Sequence, residues 1–255
     1  MFRETLAICE KELRSIRHNP WDRLLRLVRP LFWLFVFGSV GASLFKLSGS
    51  AVKFGYQRFM LPGIMVNVVL ATAVNYGIVL KWESDLGILS RLLVAPIRRI
   101  AIILGKAMAS VVSSIVEIIA LLLIAWVLGI GLTQSILGAL LSAIVIVIFV
   151  MGAASLGMLL AIVFRNKETY TGIAALIPGQ AMFVSNSLYN LDQMPTWLQV
   201  IALANPVTYA VDLIRRTTLY ENFQFSPLII DIGAVFLFTG SMLVLTSLLF
   251  QRMSQ

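Results

Sequence analysis

The chain has 255 residues, of which 59% are hydrophobic and only 13% charged, with a mean hydropathy of +0.93 and a formal net charge of +8. This composition excludes a water-soluble globular protein, and at this length there is room for one compact membrane domain over 1–255 but none for a second, soluble one. One cysteine, Cys9, and one histidine, His18, exclude intrachain disulfides and Cys-based metal clusters, and leave little for a zinc site.

In chain order, Phe2, Leu6, Cys9, Leu13 and Ile16 recur at spacings of four, three, four and three, with Arg3, Glu10, Lys11, Arg14 and Arg17 on the remaining face. The spacing predicts an amphipathic helix within residues 1–20, ended by His18-Asn19-Pro20. It can lie flat in the cytoplasmic membrane interface with its basic face toward headgroups, or pack against a soluble partner.

Apolar segments follow. The first, Pro30 to Phe45, has sixteen uncharged residues and gains length if Arg26 and Arg29 snorkel. It opens with an aromatic run, Phe32, Trp33, Phe35 and Phe37, which either faces lipid or lines a path for an apolar molecule. The second runs from Phe59 to Leu80. Between Lys106 and Arg165 the only charged side chain is Glu117, and the stretch breaks once, at Gly129-Ile130-Gly131 and the polar residues after it. That is a helical hairpin, roughly Ala107 to Leu128 and Ile136 to Phe164, with both arms past the ~20 residues a spanning helix needs. A fifth span covers about Tyr170 to Tyr189 and a sixth about Ile232 to Phe250. The reading is an all-α membrane protein with six spans.

Glu117 sits mid-span, where an ionised carboxylate costs on the order of 2–3 kcal/mol, so it must face a partner or water. It can be protonated, bonded to Ser113 or Ser114 of its own helix, or bonded to a neighbouring span, as a polar clamp or as part of a substrate path. Ala153, Gly157 and Ala161 form a small-residue stripe suited to close helix approach, and Gly38 and Ala42 repeat the pattern. In the segment 190–220, Pro195 and Asn205-Pro206 bound two helices too short to span, expected as re-entrant external helices. Irregular backbone at that depth must be covered by protein or line a wet cavity. With Phe32, Trp33 and Glu117, Asn186 and Tyr189 at the end of the fifth span are the candidates for the translocation path or its gate.

Fifteen Lys/Arg fall on the face bearing both termini and five on the other, which places both termini in the cytoplasm of a multi-pass plasma-membrane protein. The N-terminus lacks a secretory signal's apolar core and cleavage site, so no segment is expected to be removed. The basic excess flanks apolar segments, so it points to orientation in the membrane and not to nucleic acid.

The cytoplasmic loop 82–99 is mixed in charge, carries Leu89, Leu92 and Leu93, and stops at Pro96. A short helix ended by proline can fit a groove on a partner, or merely tether the loop at the interface. Glu83, Gly87, Leu89 and Arg91-Leu92-Leu93-Val94-Ala95-Pro96, closed by Gly105-Lys106, resemble the first cytoplasmic loop of the ABC-2 family of ATP-binding-cassette transporter permeases. Arg29-Pro30-Leu31-Phe32-Trp33 through Gly38, Phe59-Met60-Leu61-Pro62-Gly63, and Met194-Pro195-Thr196-Trp197 with Asn205-Pro206-Val207-Thr208-Tyr209 through Arg215 are similar to three further motifs of that family, in order along almost the whole chain. One departure is Ser90, where members often carry Glu, which leaves Glu83 and Asp85 as the acidic contacts.

The resemblance implies a homodimeric permease, two copies of a separate ATPase that bind ATP and Mg, and no cofactor in this chain. It implies that Glu83, Asp85, Gly87, Leu89, Leu92, Leu93 and Pro96 couple the permease to that ATPase, that the amphipathic helix packs alongside, and that the external segment caps the exit. The chain is not itself an enzyme: Gly105-Lys106 lacks the earlier glycine of a phosphate-binding loop. The short external loops and aromatic first span favour export of an apolar or amphipathic cargo, drug-like or lipid, over a polysaccharide or other polymer. An ion-coupled secondary transporter would show internal repeats or several buried ionisable groups. An intramembrane hydrolase would need a nucleophile with a base, and Ala153-Ala154-Ser155-Leu156-Gly157 lacks the leading glycine of a nucleophile elbow.

Overall fold

The computed structural model describes residues 2–17, 28, 30–36, 55–88, 99–131, 136–164, 166–219 and 225–252. Among them there is no strand. The helices are α1 (Phe2–Arg17), α2 (Tyr56–Asp85), α3 (Arg99–Val127), α4 (Ile136–Val163), α5 (Lys167–Phe183), α6 (Thr196–Ala204), α7 (Pro206–Leu219) and α8 (Phe225–Arg252), with a 3-10 turn at Leu191–Gln193. Residues 30–36 are also helical; the rest of the expected first span lies outside the described residues.

Four helices, α2, α3, α4 and α8, are long and apolar enough to cross a membrane, or five crossings if α6 and α7 count as one broken span. α2 is the axis of the domain, buried along most of its length, and α3, α4, α5 and α7 pack around it. α8 lies outermost, against α4 and α7, and α1 lies along α3.

Local chemistry sets the ends. α3 closes at Gly129, whose φ of 75° lets its N–H bond the Trp126 carbonyl (2.9 Å) while the Ile130 N–H reaches Ala125 (2.9 Å). This paired closure needs a left-handed residue, and Ile130 buries itself as the chain turns into α4. The helix expected to reach Tyr189 stops at Phe183, because the Ser185 hydroxyl donates to the Met182 carbonyl (2.8 Å) and bonds Ser187 (2.6 Å), offering the backbone a turn. Its seventeen residues run from Lys167, capped by the Asn166 side chain, which accepts from the Glu168 N–H (2.8 Å).

The small-residue stripe is a helix crossing. A Cβ on Gly157 would stand 2.6 Å from the Val74 carbonyl oxygen, and one on Gly77 would stand 2.2 Å from the Gly157 oxygen. α2 and α4 therefore touch backbone to backbone, and the fully buried Tyr170 donates its hydroxyl to Val74 O (2.7 Å) at the same place. α8 is held on α4 by Thr239 and Thr246, which donate to the carbonyls of Ile148 and Ser155 (2.9 Å each).

Candidate functional site

Three polar stations lie along α2. At its C-terminal end Glu83, expected to face a partner chain, turns inward. Its Oε1 lies 2.5 Å from Lys11 Nζ of α1 and its Oε2 lies 2.7 Å from Lys106 Nζ of α3. Lys106 is fully buried and also donates to Glu12 of α1 (2.6 Å). The order Lys11–Glu83–Lys106–Glu12 is a neutral cluster of alternating sign joining three helices. A Cβ on Gly105 would stand 2.8 Å from the Ile8 Cβ, so α1 lies directly on the α3 backbone.

This arrangement revises the reading of α1. Its buried face carries Thr5, Ile8, Cys9 and Glu12, while Leu6 of the apolar stripe is exposed. The helix is docked on its own chain through one flank of that stripe. Burial first, and the Glu12 charge second, push the Cys9 thiol above its ordinary pKa. Beyond the cluster, Gly87 takes a φ of 68° and ends α2, with its N–H on the Ser84 carbonyl (3.1 Å). Asp85 is exposed where the chain enters the loop. Leu89, Leu92, Leu93 and Pro96 lie outside the described residues.

The second station is Glu117. It is buried against α2, where Thr72 donates its hydroxyl to Oε2. One turn away Tyr76 and Ser113 share a hydrogen bond (2.9 Å). Of the alternatives open from sequence, the structure provides the neighbouring span as partner. Glu117→Leu should destabilise the purified chain by the ~1–3 kcal/mol of an orphaned buried donor, read as a lowered thermal midpoint, and Glu117→Gln by much less, because the amide oxygen still accepts from Thr72. Equal midpoints for Leu and wild type would refute the clamp.

The third station is a cap at the N-terminal end of α2, built by the Asn205-Pro206 motif. Asn205 donates to the Ala181 carbonyl of α5 (2.8 Å), and its side-chain oxygen accepts from the Val207 N–H (3.0 Å) to start α7. Thr208 and Tyr209 donate back to Ala202 and Leu203 (2.7 and 2.6 Å), which fixes the 84° bend between α6 and α7. Arg215 of α7, counted above among the external loop charges, is buried. Its Nη2 donates to the carbonyls of Asn186 (2.9 Å) and Phe59 (3.3 Å), its guanidinium lies 3.8 Å over the Phe59 ring, and Nη1 is 3.6 Å from Asp212. Arg216 meets Asp231 of α8 at 3.3 Å.

The candidate path residues separate. Asn186 is buried in the cap, Tyr189 donates its hydroxyl to the Phe183 carbonyl (2.7 Å), and Trp33 stands edge-on to the Phe183 ring at 5.5 Å. These three gather at the C-terminal end of α5. Phe32 faces outward, and Glu117 sits mid-helix on α3. Sequence reasoning missed Glu12, Thr72 and Asp231, and it missed that Lys106 and Arg215 are buried. Glu117 is not alone: Glu12, Glu83 and Asp231 are also buried, each beside a basic residue. Removing Lys106 and Arg215 from the loop charges leaves fourteen against four, so the orientation bias survives.

A family model described as ABC-2 type transporter matches residues 3–219. A ycf38 transport permease of Cyanophora paradoxa is 26% identical over 95% of this chain and 83% of its own length. A daunorubicin resistance ABC transporter permease protein of Streptomyces coeruleorubidus is 24% identical over 83% of this chain and 74% of its own. A doxorubicin resistance ABC transporter permease protein of Mycobacterium tuberculosis is 26% identical over 61% of this chain and 56% of its own.

Proposed function

This chain belongs to the ABC-2 type transporter family, and from that premise we propose that it is the permease subunit of an exporter driven by a separate ATPase. Two copies form the pathway and two ATPase copies bind ATP and Mg. The cargo is an apolar or amphipathic molecule, drug-like or lipid, carried out across the plasma membrane. Six spans with both termini cytoplasmic complete the topology, with α6 and α7 as the external re-entrant pair.

The observation that carries this reading is the match of the family model along nearly the whole chain, from α1 to the end of α7. Relatives named for daunorubicin and doxorubicin resistance support the cargo class, as does the aromatic group of Trp33 and Phe183. The geometry supports the coupling route. The loop starts at the Gly87 turn on the end of the central helix, and Glu83 and Lys106 bind that end to α1 and α3. A load on the loop therefore reaches α2 directly, and ATP binding shifts the dimer between conformations through differential contacts. In this scheme Glu83 works inside the permease, Asp85 is the exposed acid toward the ATPase, and Leu89, Leu92 and Leu93 supply the apolar contacts to the ATPase.

Copurification tests it. The tagged permease should bring down an ATPase subunit from its native membrane. Leu92→Ala with Leu93→Ala removes two apolar anchors worth roughly 1–3 kcal/mol each on burial, so ATPase recovery and substrate-stimulated hydrolysis should fall while insertion is retained. Normal recovery and transport in the double variant would reduce the loop to a tether.

A further inference from the structure

The cap contains a seam closed more tightly than packing alone requires. A Cβ on Gly63 of α2 would stand 2.6 Å from the Ser187 Cβ and 2.9 Å from its Cα, so the 184–190 turn rests on bare backbone. Ser185, Asn186 and Ser187 are all buried to 2% exposure or less, and the Asn186 Oδ1 has no hydrogen-bond partner among the described residues. Tyr56 adds a bond from its hydroxyl to the Leu188 carbonyl (3.0 Å). A polar turn shut inside an apolar domain, with an acceptor left unpaired, is favoured by whatever holds it there and would gain water on opening.

Two side chains hold it, Tyr56 of α2 itself and Arg215, which reaches in from α7. Arg215 bonds a carbonyl of the turn and a carbonyl of α2, covers the Phe59 ring, and leans on Asp212 of its own helix. Building on the transport reading, we propose that Arg215 is the pin of a gate at this end of the permease: it holds the Ser185–Asn186–Ser187 turn against the first turns of α2, and each transport cycle breaks and remakes those contacts. Arg215 acts by positioning; it need not touch cargo.

A planar guanidinium can bond two carbonyls and stack on a ring together, which an ammonium cannot. The test uses the permease with its single native cysteine removed (Cys9→Ser) and Ser187→Cys as reporter, purified into lipid nanodiscs where a polar maleimide reaches both faces. The buried thiol should react slowly. Arg215→Met should raise the rate by about tenfold or more, with Arg215→Lys between the two, as the open population grows. Gly63→Ala, which wedges the same seam without touching the arginine, should raise it too and covers the case in which Arg215→Met does not fold. In the ATPase complex, ATP should accelerate labelling of the parent. Equal rates in parent and variants overturn the pin, as does a rise accompanied by loss of the thermal transition, which marks Arg215 as merely structural. ATP-independent labelling of an intact complex also overturns it. Failure of any ATPase to copurify with the parent would instead strike the transport reading, and the nanodisc comparison stands apart from that result.

Discussion

Lys106→Met should be among the most damaging single changes in the protein, although it replaces a charge by an apolar side chain of similar length. Lys106 is fully buried and serves Glu12 at 2.6 Å and Glu83 at 2.7 Å. Removing it leaves two buried carboxylates without their shared cation, and Lys11 meets only Glu83 of the two. Breaking a buried pair from one side costs about 3–5 kcal/mol, much of it the penalty of the charge left behind. For a chain of this size that lowers the thermal midpoint by on the order of 10 °C. Adding Glu12→Leu removes the stranded acid and leaves Glu83 with Lys11, so the double variant should recover most of the loss. Differential scanning fluorimetry in nanodiscs reads both numbers, and release of α1 should appear as faster tryptic cleavage at Arg3, Lys11 and Arg14. A midpoint within about 2 °C of wild type would mean the cluster contributes no net stability, the outcome that desolvation costs sometimes produce.

Gly157→Leu should be comparably severe, by a different route. The new side chain would start 2.6 Å from the Val74 oxygen and 2.8 Å from its Cα, atoms of the α2 backbone that cannot rotate aside. Overpacking typically costs about 1–3 kcal/mol and more where the neighbour is rigid. Here the two helices must part, which also strips Tyr170 of its bond to Val74. The expected result is loss of the monodisperse peak in size exclusion and a collapsed thermal transition. Gly233→Ala is the matched control: nothing lies within 4 Å of a Cβ there, and alanine favours the helix by about 1 kcal/mol. If Gly157→Leu behaves like that control, the α2–α4 crossing is looser than the backbone contact implies.

Both variants act on α2, and that bears on mechanism. The ion cluster and the cap sit at opposite ends of this one helix, at Glu83 and Phe59, about 36 Å apart at 1.5 Å per residue. A helix tied to charged groups at both ends suits the proposed transport scheme, in which drive and exit lie on opposite faces.

Features set by neighbours along the chain were legible from the sequence. Run lengths of uncharged residues identified a helical membrane protein and the α3–α4 hairpin, and the breakers at Gly129, Pro195 and Asn205-Pro206 marked where helices begin or end. These follow from local rules, because a glycine or proline acts on its own turn and hydropathy is read residue by residue. The fate of individual charges was decided only by tertiary structure. Lys11 meets Glu83 across 72 positions, Lys106 meets Glu12 across 94, and Arg215 meets Phe59 across 156. Periodicity compares a residue with its own helix and cannot reveal a partner on another. Lys106 and Arg215 therefore read as loop charges and Glu83 as an outward contact. A cation is buried only where other chain segments supply its acceptors, and that supply exists only once the helices have packed.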